Sequence, residues 1–184
     1  MDNEFITDYF KRYKLALDID VQSELIQAKD IIISAKNRNN KLALLGNGGS
    51  NAIASHAVVD FVKQARVRAE NYNNSAMITC FANDYGYEAS FKKVIEFYTD
   101  EGDVLIVISS SGNSENIIQA IKEARNRKMK VITFTGFDKN NPVKQLGDVN
   151  FWLDSYAYNI VENIHQIWLL AICDLIIGNA EYKA

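Results

Sequence analysis

The sequence predicts an α/β protein, a five-stranded parallel sheet covered by helices on both faces. Three observations carry this. Short apolar runs alternate with longer amphipathic ones, and that alternation needs crossovers that set neighbouring strands parallel. Val104–Ile108 is apolar at every position, as a strand buried on both faces is. Two strand-like runs pass through loops of small residues straight into helices, the step at which α/β sheets bind ligands.

Taken in order, residues 3–17 and 20–37 predict two helices. Their apolar positions fall three and four apart: Phe5, Ile6, Tyr9 and Phe10, then Leu25, Ile26, Ala28, Ile31, Ile32 and Ile33. Strands are expected at Leu42–Leu45, Ala76–Phe81, Val104–Ile108, Val131–Thr135 and Val149–Leu153. Helices are expected at Ser50–Ala65, Tyr87–Thr99, Ser114–Arg127 and about Tyr158–Asn179. The single proline, Pro142, follows two asparagines and marks a loop. The last helix is more apolar than one face of a surface helix needs, which predicts burial between subunits of a homo-oligomer. There is no linker, repeat or low-complexity stretch. The expectation is a single domain over residues 1–184, with 1–38 a helical oligomerisation segment and 39–184 the binding core.

Composition narrows the class. The chain has 184 residues, 48% hydrophobic and 23% charged, an ordinary globular balance with room for a sizeable core. A net charge of −3 gives no footprint for nucleic acid. Cys80 and Cys173 lie in apolar segments without CxxC spacing, which predicts buried thiols in a reducing compartment. The opening MDNEFITDYFKRYK does not resemble a signal peptide. No apolar stretch reaches the roughly 18 residues of a membrane span. A cytoplasmic protein is the expectation.

Two loops carry the chemistry. VLIVI runs into Ser109, Ser110, Ser111, Gly112, Asn113 and Ser114, and a helical pattern begins directly after. Four hydroxyls, a glycine and the free N–H groups of a helix N-terminus suit a phosphate without a lysine. A plain capped turn, with Ser114 as N-cap, is the alternative. The second loop, Gly46, Asn47, Gly48, Gly49 and Ser50, has the same strand–loop–helix setting. It lacks the Gly-Lys-Ser/Thr of a Walker loop. Asn51 stands where a dinucleotide fingerprint needs its third glycine, with no ribose-binding acid about 20 residues on.

LLGNGGSNAIASHAVVDF, FANDYGYEASF, EGDVLIVISSSGNSENIIQAIKEA and KVITFTG together resemble the phosphoheptose (sedoheptulose 7-phosphate) isomerase family of sugar isomerase (SIS) domains, in register from about residue 10 to 178. The resemblance implies a three-layer α/β/α sandwich, a phosphorylated sugar as substrate, and a tetramer with active sites between subunits. It implies that Ser109, Ser110, Ser111 and Ser114 bind phosphate and that Asn47, Gly48 and Ser50 touch the sugar. Asn83 and Asp84 match a substrate-binding pair; by themselves they would suit a turn opening the next helix.

Aldose–ketose isomerisation moves a proton between adjacent carbons through an enediol, which calls for a base, a proton donor and stabilisation of the developing oxyanion. The family uses a Glu on the first long helix as base and a His on the last helix as acid. Some members hold zinc through these two, a further His and a Gln; zinc is the only cofactor the resemblance implies. Here His56 matches the further histidine, Asp60 replaces the base, Glu162 replaces the Gln and Leu170 replaces the acid. His165 matches a family histidine that is not the acid, Asn159 replaces an Asp, and Arg66 and Arg68 lie near a substrate-binding Arg without matching its register. Asp is one methylene shorter than Glu, and a misplacement of about 1 Å costs on the order of a hundredfold in rate. Leu170 can neither transfer a proton nor bind metal. These changes lead to the expectation that Asp60 and Glu162 form an acid–base pair, with His56 as shuttle or metal ligand. Two carboxylates in one cleft raise one pKa, and His56, Asp60 and Glu162 are three donors for a divalent metal. The alternative for Glu162 is a solvated or ion-paired residue.

The expected function is a phosphosugar isomerase acting on sedoheptulose 7-phosphate for cell-surface polysaccharide. The competing class is a catalytically silent phosphosugar sensor or protein-binding module. The family's replication-initiator-associating branch likewise lacks the last-helix His, and LLAICDLI resembles it. A nucleotide-binding Rossmann domain ranks last.

Overall fold

A computed structural model describes residues 2–182. Two helices open the chain, α1 (Asp2–Leu17) and α2 (Gln22–Asn37). Next come β1 (Leu42–Gly46), α3 (Gly49–Lys63), β2 (Ala69–Asn71), α4 (Ser75–Tyr85) and α5 (Tyr87–Tyr98). Then follow β3 (Val104–Ser109), α6 (Glu115–Asn126), β4 (Lys130–Thr135), α7 (Pro142–Leu146), β5 (Val149–Trp152) and α8 (Tyr158–Ile177). All strand pairs are parallel, in the order β2-β1-β3-β4-β5.

The strands alternate between two apolar faces. Leu42, Leu44, Val104, Ile106, Ile108, Ile132 and Phe134 pack with α1, α2, α3 and α8. Ala43, Leu45, Leu105, Val107 and Val131 pack with α5 and α6, flanked by Met77 and Phe81 of α4 and Val143 of α7. The result is the expected three-layer sandwich. Each fully buried Leu, Ile or Val contributes about 1.5–3 kcal/mol, so β1 and β3, buried at every position, anchor both layers. Strand order reverses between β1 and β3, and register pairs Gly46 with Ile108. The loops leaving these strands therefore emerge side by side, at the switch point where such sheets bind ligands.

Three expectations need correction. Ala76–Phe81 is not a strand but the interior of α4. The Asn74 side chain caps this helix by accepting from Ala76 N (2.9 Å) and Met77 N (3.3 Å). Met77 and Phe81, four apart, turn inward while Thr79 and Cys80 face solvent. The remaining strand is the edge segment Ala69–Asn71, too short and polar to signal itself. Pro142 opens α7 at its first turn, where a missing N–H costs nothing, and Asn141 caps it by accepting from Lys144 N. Cys80 is exposed, whereas Cys173 is buried as expected. Helix α8 is long and apolar enough to cross a membrane by length and composition alone, with mean hydropathy 1.6. Glu162, His165 and Gln166 interrupt its apolar runs in sequence but not its helix. Its buried side, from Ile160 through Cys173, covers the sheet, as the core helix of a globular domain does.

Candidate active site

The two small-residue loops form one polar cleft. It is lined by Asn47, Ser50, Ile108, Ser109, Ser110, Ser111, Ser114, Tyr158 and Glu162 and encloses about 160 Å³. Gly46 lets the first turn of α3 close against the strand end, since a Cβ there would stand 2.7 Å from the Ser50 carbonyl carbon. Gly48 occupies the N-cap of α3 at φ +54°, a conformation glycine adopts without strain.

Below β3, Gly112 turns the chain at φ +65° and donates its N–H to Ser109 O at 2.9 Å. Its carbonyl accepts from Val143 N, and Ser110 O accepts from Gly136 N, so α7 and the end of β4 brace the loop from beneath. The Ser110 hydroxyl is buried without a partner. A buried orphan hydroxyl is costly, and a bound oxyanion would satisfy it. Ser114 stands at the N-cap of α6 but makes no side-chain cap bond, which leaves its hydroxyl and the first α6 amides for an anion. Ser111 Oγ accepts weakly from Asn113 N at 3.3 Å.

Opposite the serines stands Glu162. Burial pushes its carboxyl pKa above the ordinary range. Gly49 makes the space for it: a Cβ at that position would lie 2.5 Å from Glu162 Oε2. From there α3 and α8 run side by side in the same direction. Gln166 meets His56 at 2.9 Å, and Asp60 lies near enough to the Cys173 thiol to help burial push its pKa up to about 12. Eleven residues separate Gly49 from Asp60, a rise of ~16 Å along α3.

The expected Asp60–Glu162 pair is therefore not assembled within one chain. Asp60 instead lies beside His56, with Nε2 and Oδ2 3.3 Å apart, and burial alone accounts for the raised Glu162. Zinc fares no better. Both His56 nitrogens are engaged, by Asp60 and Gln166. Among the described residues no three His, Cys, Asp or Glu side chains are placed to hold a metal ion. Leu170 packs partly buried against the core. Asn83 and Asp84 are exposed on α4 and bond to each other at 2.9 Å, away from the cleft lining. Tyr158 lines the cleft, and Tyr87 and Asn116 hold Asn47. All three went unnoticed in the sequence. Asn116 follows the serine loop closely enough to have been found; Tyr87, forty residues from Asn47, gave no signal.

A parallel sheet with a phosphate-sized polar cleft at its switch point defines a class, and residues 7–136 match the SIS domain model. Phosphoheptose isomerase from Cytophaga hutchinsonii is 34% identical over 161 residues, 85% of this chain and 83% of the relative. Probable phosphoheptose isomerase from Thermoplasma acidophilum is 35% identical over 182 residues, 96% and 98% of the two chains. The chain belongs to the phosphoheptose isomerase family of SIS-domain proteins. The structure of phosphoheptose isomerase GmhA from Neisseria gonorrhoeae superposes with a TM-score of 0.87 at 28% identity, covering 96% of this chain and 99% of that one. The Francisella tularensis phosphoheptose isomerase does so with 0.88 at 27% identity, covering 97% and 100%.

Proposed function

We propose that the protein interconverts sedoheptulose 7-phosphate and an aldoheptose phosphate through an enediol, in the cytoplasm, as a step toward cell-surface polysaccharide. The observation that carries this is the raised Glu162 carboxyl facing the serine loop across one small cleft. The phosphate sits on Ser109, Ser110, Ser111 and Ser114 and the first α6 amides. Glu162 removes the proton from the carbon beside the carbonyl, leaving an enediolate, and returns it to the neighbouring carbon. The hydroxyl proton moves the same way, from the oxygen on the carbon that lost its proton to the former carbonyl oxygen. One carboxylate suffices when both carbon transfers occur on the same face of the sugar. A carboxyl held above its usual range is better matched to proton exchange near neutral pH. No step uses a metal, and Leu170 is not needed as an acid.

The cleft is smaller than the several hundred Å³ usual for a ligand pocket. It holds the phosphate on the serines and the reacting carbons against Glu162, and leaves the outward side of the sugar to be enclosed by another subunit. Val59, Val62 and Ile167 are exposed on α3 and α8, around the half-exposed His56 and its partner Asp60. These residues support a homo-oligomer, a tetramer on the family pattern, in which His56, Asp60 and the exposed Asn83–Asp84 pair meet a neighbouring cleft.

The test is Glu162→Gln. With sedoheptulose 7-phosphate in deuterated water, wild-type protein should place deuterium at C2. The variant should lose at least a hundredfold in exchange and turnover while still binding the sugar. Equal exchange by both would sink the assignment. Binding without exchange in wild type would return the protein to the sensor class.

A further inference from the structure

Asn47 lines the cleft, and its side-chain bonds define which way round its carboxamide lies. Nδ2 donates to Asn116 Oδ1 at 3.0 Å, and Oδ1 accepts from Asn116 Nδ2 at 3.0 Å. Oδ1 also accepts from the Tyr87 hydroxyl at 2.8 Å. Asn116 is only 2% exposed, and its Oδ1 additionally accepts from the Ile117 backbone N–H at 3.0 Å. That backbone donor distinguishes oxygen from nitrogen on Asn116, because a reversed amide would set N–H against N–H. The reciprocal pair passes the choice on to Asn47. Tyr87 then occupies the second lone pair of the Asn47 oxygen.

A carboxamide has two acceptor sites and two N–H donors. Asn47 has both acceptor sites and one donor committed, so a single N–H remains. We propose that Asn116 and Tyr87 are positioning residues that hold Asn47 as a donor-only group, its free N–H serving the substrate oxygen that becomes negative in the enediolate. Turned the other way, Asn47 would present a carbonyl that repels that oxygen. A fixed donor aimed at developing charge costs no reorganisation during the reaction. Tyr87 comes from α5, across the sheet from α8, so the helices of one layer set the oxyanion contact while α8 supplies the carboxylate.

This inference rests on the isomerase reading, and its test separates the two. Wild type, Asn47→Ala and Tyr87→Phe are compared for kcat and KM on sedoheptulose 7-phosphate. They are also compared for affinity toward two inhibitors, a sugar-phosphate hydroxamate that imitates the enediolate and an alditol phosphate that does not. Melting temperatures check that each variant is folded. Asn47→Ala should lower kcat about a hundredfold, the usual loss for one oxyanion donor, with KM within about twofold. Tyr87→Phe should lower kcat by up to about tenfold, since a loosened donor is not a missing one. In both, hydroxamate affinity should fall by the same factor as kcat while alditol phosphate affinity holds. Unchanged kcat, or equal weakening of both inhibitors, overturns the proposal. If wild type proves inactive, a hydroxamate preference abolished by Asn47→Ala still supports the donor role while the isomerase reading fails. No preference in wild type overturns the donor role itself.

Discussion

Ser110 carries one consequence that no capping role would. Its hydroxyl is buried and unpartnered, so replacing it with alanine removes a desolvated polar atom and no protein hydrogen bond. Ser110→Ala should leave the melting temperature unchanged or slightly raised. It should weaken inorganic phosphate and sugar phosphate together by about 10- to 100-fold, the worth of a ~1.5–3 kcal/mol hydrogen bond to a charged group. Titration calorimetry on the two proteins reads both numbers; equal affinities would remove Ser110 from the phosphate grip. The serine loop was legible in sequence because a buried strand, small residues and a helix start follow one another without a gap. The Asp60–Glu162 pairing was not, because matching each residue to a family position says nothing of where two helices align. That alignment is set by the space left at Gly49, which only the packed structure shows.

Among elements, α8 is tied to the sheet by His165. Its Nε2 donates to the Thr135 carbonyl of β4 at 2.9 Å, and the ring is fully buried. Burial pushes its pKa down to about 4, only partly opposed by that hydrogen bond. The folded ring thus stays neutral where an unfolded one, with its ordinary value near 6.5, takes up a proton. Stability contributed by the neutral ring is complete above about pH 6.5 and is lost as pH falls from there toward 4, by up to about 3 kcal/mol. Urea midpoints should fall between pH 7.5 and 4.5, and His165→Gln, which keeps a donor for Thr135, should flatten that fall. Asp103 and Asp148, both held below the ordinary carboxylate range by hydrogen bonds and neighbouring cations that outweigh burial, lose their contribution only at lower pH. Elements with long, unmixed patterns were readable: β1, β3, β4, α2 and α6 lie within a few residues of expectation. The edge of the sheet was not. A six-residue apolar run such as AMITCF fits strand or helix equally, and the Asn74 cap decided it.

At the scale of the whole molecule, exposed apolar side chains gather on the outer helices. Phe5, Ile6 and Phe10 of α1 and Val59 and Val62 of α3 are all about half exposed or more. Ordinary monomers rarely leave so many large apolar groups together on one side. Light scattering after size exclusion should give about four times the chain mass, and Phe5→Asp with Phe10→Asp should lower it. A wild-type monomer at every concentration would refute shared active sites. The fold class was legible because alternation of strands and helices is a property of the whole chain. The proposed completion of the cleft by another subunit rests on the resemblance and on these exposed apolar residues.

The position of α8 also bears on how the protein is made. Every strand this helix covers leaves the ribosome before it does, so the α1–α2–α3 side of the sheet stays partly open until translation reaches residue 177. Chains generally fold in the order they emerge, yet the stacked Phe134 and Phe151 gain Trp168 as a neighbour only across that last joint. Meanwhile, among the described residues, α8 alone carries the length and hydropathy of a membrane segment. Nascent chains halted before this helix would leave uncovered the part of that sheet face on which α8 packs, and docking of α8 buries the side from Ile160 through Cys173.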